Sequence, residues 1–210
     1  MIKRTSKIVF LPAIILFLFG SVFAQAPTTV QHPEWSKNAV IYEVNIRQFT
    51  PEGTFDAFEK HLPDLKKLGV DILWLMPINP IGELNRKGSL GSYYSVKDYK
   101  AVNPEFGTID DFKKLVSKIH DAGMYVIIDW VANHTSWDNV WVKTHPEFFT
   151  KDKNGNFVPP IANWEDVIDL NYDNKELWNY MIDPMNLDKR KQYRRFPLRC
   201  CRNVSNLILA

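Results

Sequence analysis

Across 210 residues, 45% hydrophobic and 24% charged, the formal charge is +2, but that figure sums three unlike segments. Three cations precede residue 8 and seven follow residue 188, beside a single tail acid, Asp188; removing these ten from 26 leaves 16 basic residues against 23 acidic ones between them. A body that acidic excludes nucleic acid and anionic lipid as partners, and since both cysteines, Cys200 and Cys201, lie in the basic tail, the body rests on no disulfide framework.

In chain order, Lys3, Arg4 and Lys7 lead into an apolar run over residues 8–19, and small residues Val22 and Ala24 follow at cleavage spacing. This is the pattern of a secretory signal peptide, cut after Ala24. A membrane anchor is the alternative, opposed by Pro12 and by a run shorter than the ~20 residues that span a bilayer. A secreted or periplasmic protein, free of the membrane after cleavage, is expected. Residues 25–38 read as a polar linker.

AVIYEVNIRQF (39–49) is rich in β-branched and aromatic residues and predicts a strand. FDAFEKHLPDLKKLGV (55–70) carries Phe58, Leu62, Leu65 and Leu68 at helical spacing, with Pro63 kinking or dividing the helix. The apolar run DILWLMPI (71–78) follows, then a long polar loop. Thr108 and Asp111 open an amphipathic helix with a start like a capping box; Phe112, Leu115, Val116 and Ile119 form its apolar face, and it ends near Gly123. YVIIDWVANHTS (125–136) supplies a third strand. Strands alternating with helices, and strands apolar on both faces, predict an α/β fold around a parallel sheet. In such sheets the polar residues just past the strand ends build the site, and Asp129, Asn133 and His134 stand at that place.

Four blocks in order, IYEVNIRQFTPEGTF, LGVDILWLMPI, SYYSVKDYKAVNPEFGTIDDFKKLVSKIHDAGMYVIIDWVANHTS and DVIDLNYDN, resemble the N-terminal half of the catalytic domain of the α-amylase family, glycoside hydrolase family 13, over roughly residues 35–183. The resemblance implies a partial TIM (β/α)8 barrel over residues 39–183: about the first three βα units plus the long loop after the third strand. It implies an exported hydrolase that cleaves α-glucosidic bonds of starch-like glucans or maltooligosaccharides with retention. An α-glucan transglycosylase stays open, because water and a sugar hydroxyl compete for one covalent intermediate. So does a non-catalytic carbohydrate-binding or interaction protein that keeps the fold.

Residue by residue, DWVANH implies that Asp129 supports the catalytic floor, that Asn133 is a calcium ligand as in many members, and that His134 donates a hydrogen bond to the sugar at the cleavage point. YSVKDY implies Tyr94 as the ring against that sugar, with Ser95 where the family has Asp. VIDLN implies Asp169 as a second possible calcium ligand, without the usual Pro before it. Each has a plainer alternative: Tyr94 as a loop aromatic, His134 as a structural histidine, Asp129 as the cap of a turn. Calcium wants ~6–8 oxygens, and these two side chains are a short list. Trp137, Trp141 and Trp164 suit either a sugar groove or loop packing; Glu165 and Asp166 read as solvated surface, and KDKNGN (151–156) as a turn.

The family's nucleophile is the Asp of a fourth-strand motif, D-G-F-R-x-D, and its acid/base is a Glu further on. Neither motif occurs here; residues 187–210 show no strand periodicity. Read one base later through permitted codons from Leu187, the tail gives WIRENNIDGFRCDV, which contains the missing motif. Residues 184–210 are therefore expected to be an aberrant, frameshifted and disordered tail, and the bases of the parent DNA across that junction check it.

Overall fold

The computed structural model describes residues 34–185. The expected signal peptide, most of the expected linker and the frameshifted reading from residue 187 lie outside the described residues. Two compact units divide the chain, residues 1–37 and 38–210. The described part of the first is the start of a 3-10 turn, Glu34–Asn38, in which Lys37 pairs with Glu34 at 2.7 Å.

In the second unit β1 (Ile41–Val44), β2 (Ile72–Leu75) and β3 (Tyr125–Ile128) form a parallel sheet in that order. The register aligns Ile41 with Ile72 and Tyr125, and Val44 with Leu75 and Ile128. Both outer strands are shorter than the sequence predicts. Met76 N–H still reaches Val44 O (2.9 Å) and Asp129 N–H reaches Leu75 O (2.8 Å), but Pro77, on the edge that faces β3, has no N–H to continue that ladder. Past that point the chain bonds locally: Gln48 and Phe49 donate to Asn45 O (3.1 and 2.9 Å), making the short helix α1 (Ile46–Phe49) where a strand was predicted.

The next predicted helix is two. Pro63 falls in the first turn of α3 (Leu62–Lys67), where its missing N–H costs no helical bond, and α2 (Phe55–Glu59) ends before it. Helix α4 (Ile109–Asp121) starts with a full capping box: Thr108 Oγ1 accepts from Asp111 N–H (3.2 Å) and Asp111 Oδ2 accepts from Thr108 N–H (2.8 Å). It stops at Gly123, whose φ of 70° suits a residue without Cβ. Leu115 and Ile119 of α4, Phe55 and Phe58 of α2, and Val44, Leu73 and Leu75 of the sheet are all fully buried in one core, each such side chain contributing about 1.5–3 kcal/mol.

Beyond β3 the chain builds a second core. β4 (His134–Ser136) pairs antiparallel with β5 (Val167–Asp169). Trp141 of α5 (Trp141–Thr144), Phe148, Ile168, and Leu177 and Met181 of α6 (Lys175–Met185) pack with Tyr99 and Trp130. Helix α6 carries Pro184 in its last turn, past the expected domain end at residue 183. Among the described residues no helix is long and apolar enough to cross a membrane.

Candidate functional site

The polar loop between β2 and α4 has no helix or regular strand, yet it is fixed from several sides. Asn79, 6% exposed, donates to the carbonyls of Asp98, Tyr99 and Ala101 (3.2, 3.3 and 3.0 Å). Val96 is fully buried, and its carbonyl accepts from Ser136 N–H and from Asn139 Nδ2, both at 3.0 Å. These bonds set YSVKDY against the ends of β3 and β4.

Three of the expected site residues come together there. Tyr94 OH donates to Asp129 Oδ2 at 2.9 Å, and Asp129, 2% exposed, sits just past β3. The ring of His134, at the start of β4, hydrogen-bonds the Tyr94 backbone. Tyr99, fully buried, holds this segment from below, its hydroxyl donating to Val131 O (2.6 Å) and His134 O (3.0 Å). Those carbonyls would otherwise sit in a continued β3; with them taken, the predicted single strand over 125–136 divides.

His134 is 8% exposed. Burial dominates its titration and lowers the imidazole from the ordinary 6.5 to about 4, against the opposing pull of Asp166 and the Tyr94 hydrogen bond. Asn133 Nδ2 lies 3.1 Å from Nδ1, and the buried ring is neutral at pH 7. A depressed folded pKa means that the unfolded chain takes up the proton first. Stability from His134 is therefore full above about pH 6.5 and is lost as pH falls through about 4. Urea denaturation at about pH 7 and about pH 4.5 should show a drop that is smaller by about 1–3 kcal/mol in His134→Gln. An equal drop in both proteins would remove His134 as its source.

Asp169 stands opposite His134 in the β4–β5 register, but its Oδ2 accepts the Thr150 hydroxyl at 2.6 Å. Asn133 O accepts Leu170 N–H at 3.2 Å, while its amide faces His134. Among the described residues no group of three or more His, Cys, Asp or Glu could hold a metal ion. One amide oxygen and one carboxylate oxygen fall short of the ~6–8 that calcium takes, so these residues do not by themselves fit the ion.

Two readings of the surface change. Asp166 is not solvated: it is 9% exposed, with its Oδ1 3.5 Å from Lys87 Nζ, and its charge acts on His134. A two-residue acidic run carries no sign of which member turns inward; Glu165 stays exposed. The three tryptophans part company too. Trp141 is buried in the second core, and Trp137 is half-buried with Nε1 on Glu165 O (2.8 Å). Trp164, 42% exposed, crosses the His134 ring with centroids 5.3 Å apart. The KDKNGN stretch is the expected turn, with Asp152 Oδ1 accepting from Asn154 and Asn156 N–H.

Residues 19–180 match the family described as Alpha amylase, catalytic domain. A solved alpha-amylase from Lactobacillus plantarum is similar at 49% identity and a TM-score of 0.69, over 70% of this chain and 35% of that one. A maltogenic alpha-amylase from Thermotoga neapolitana is similar at 45% identity and 0.67, over 71% and 36%. An alpha-1,4-glucan:maltose-1-phosphate maltosyltransferase from Rhodospirillum rubrum is 33% identical over 78% of this chain and 27% of its own length. The chain thus spans about a third or less of the length of such relatives.

Proposed function

Because the chain belongs to the alpha-amylase catalytic-domain family, we propose that it forms a substrate-recognition wall of an exported glycosidase acting on α-glucosidic bonds of starch-like glucans and maltooligosaccharides. The observation that carries this reading is Tyr94, braced by Asp129 and joined to a neutral His134. A phenol ring offers a flat apolar face to the C–H face of a pyranose. Its hydroxyl, held at 2.9 Å by a buried carboxylate, cannot swing away. Export is supported by the N-terminal pattern of cations, apolar run and small residues.

Retaining cleavage needs two carboxyl groups about 5–5.5 Å apart, one of them protonated to act as the acid. The acids around this wall are committed elsewhere: Asp129 to Tyr94 and Asp166 to Lys87. Glu83 and Asp138 flank Lys97 Nζ at 2.9 and 3.4 Å. The Lys97 hydrogen bond holds Glu83 below the usual carboxylate range. Burial raises Asp138, but the hydrogen bond from Glu83 N–H and others outweigh it, so it too is lowered. A carboxyl held ionised donates no proton. The wall therefore supplies binding and orientation, and its paired acids supply no proton donor for bond cleavage.

Calorimetric titration of the full chain with maltotetraose tests the reading, with β-linked cellotetraose as the control. Binding selective for maltotetraose is expected, weakened more than about tenfold by Tyr94→Ala. Equal affinity for both sugars would sink the proposal.

A further inference from the structure

Residues 161–166 form no helix or strand, yet their backbone is held by side-chain donors from three separate segments. Lys87 Nζ donates to Asn163 O (2.6 Å), Trp137 Nε1 to Glu165 O (2.8 Å) and Ser95 Oγ to Asp166 O (3.0 Å). Within the loop Trp164 N–H donates to Ile161 O (2.9 Å) and Val167 N–H to Trp164 O (3.3 Å). Ser95 is 3% exposed, so its hydroxyl has no water to fall back on. The side chain at the middle of this restrained backbone is Trp164, 42% exposed beside His134. Leaving an indole half in water while fixing the chain that bears it forgoes apolar burial and chain entropy alike. A packing residue would gain from turning inward; an exposed, oriented aromatic face next to a binding wall is what a ligand with an apolar face requires.

We propose that Trp164 is the stacking platform for a second glucosyl unit, adjoining the one at Tyr94 and His134, and that Ser95 is a positioning residue that holds the platform in place. This inference rests on the recognition reading above and adds a length requirement: an occupant must reach both rings, so it is an α-glucan chain and not a single sugar. It also gives a reason for the departure at position 95. A carboxylate accepts and does not donate, so an Asp there would face the Asp166 carbonyl with no hydrogen to share and would release the loop.

The test compares the full chain with Trp164→Ala, Trp164→Phe, Ser95→Ala and Ser95→Asp, using maltotetraose as the titrant and near-UV dichroism to follow packing. Trp164→Ala should weaken binding about tenfold and Trp164→Phe by less than about threefold. Both Ser95 variants should weaken binding too, and should speed hydrogen exchange at the Trp164 and Val167 amides by about tenfold or more. If the unmodified chain binds and Trp164→Ala binds equally well, the platform is refuted while recognition at Tyr94 stands. Unchanged exchange in the Ser95 variants refutes the positioning role, and absence of maltotetraose binding by the packed, unmodified chain overturns the platform and the recognition reading together.

Discussion

Purified chain incubated with soluble starch is expected to release no reducing ends above the buffer control, at least about 10⁴-fold below a working hydrolase. The expectation rests on an inventory of acids. Of 24 carboxylate side chains, 23 lie within residues 34–185 and the other is Asp188. Around the wall Asp129 is bound to Tyr94, Asp166 to Lys87, Asp169 to Thr150, and Glu83 and Asp138 to Lys97, and the two that share Lys97 are both held on the ionised side. Acids that are paired in this way offer binding and orientation, which act on the ground state as much as on the transition state and so do not raise turnover. A reducing-sugar assay decides the matter. Turnover that follows the protein through a final sizing column would show that a carboxyl pair forms after all, and would overturn the reading of the wall proposed here. Binding without turnover is the positive half of the same result.

Replacing Gly82 with Ala should be among the most disruptive single changes, costing about 3 kcal/mol or more by urea denaturation. A Cβ at Gly82 would lie 2.1 Å from Ser136 Cβ and 2.6 Å from Asp138 Oδ1. Ser136 is fully buried in β4, two residues from His134, and cannot retreat without moving the strand. Gly82 N–H also donates to Ser95 O at 2.8 Å, so the loop cannot back away without loosening the segment that carries Tyr94. The change therefore acts on both sides of the site, and affinity for maltotetraose should fall with stability. Gly88 is the comparison: a Cβ there meets nothing within 4 Å, and the strain is confined to its φ of 70°, worth about 1–2 kcal/mol. Equal losses at the two positions would mean that the approach of Gly82 to Ser136 is not what holds this junction.

Much of the architecture follows from patterns within single elements. YVII and ILWL declare buried strands by being apolar on both faces. Thr108 and Asp111 mark a helix start because two side chains satisfy two backbone donors of the same turn, and Pro63 divides a helix through its own ring. Asp129 and His134 stand out as polar residues straight after such a strand. What the local patterns do not contain are bonds between loops. Where β3 stops depends on Pro77 in the neighbouring strand and on Tyr99 reaching the carbonyls of Val131 and His134, 32 and 35 positions away. Lys87 meets Asn163 across 76 positions and Ser95 meets Asp166 across 71. The sequence alone therefore determined the three strands of the parallel sheet, the helices between them and the residues at the strand ends, because propensity and periodicity act over one or two turns of chain. The burial of Asp166, the exposure of Trp164 beside His134 and the closeness of Gly82 to Ser136 were decided by the tertiary structure, because a side chain that caps a distant carbonyl leaves no period to read.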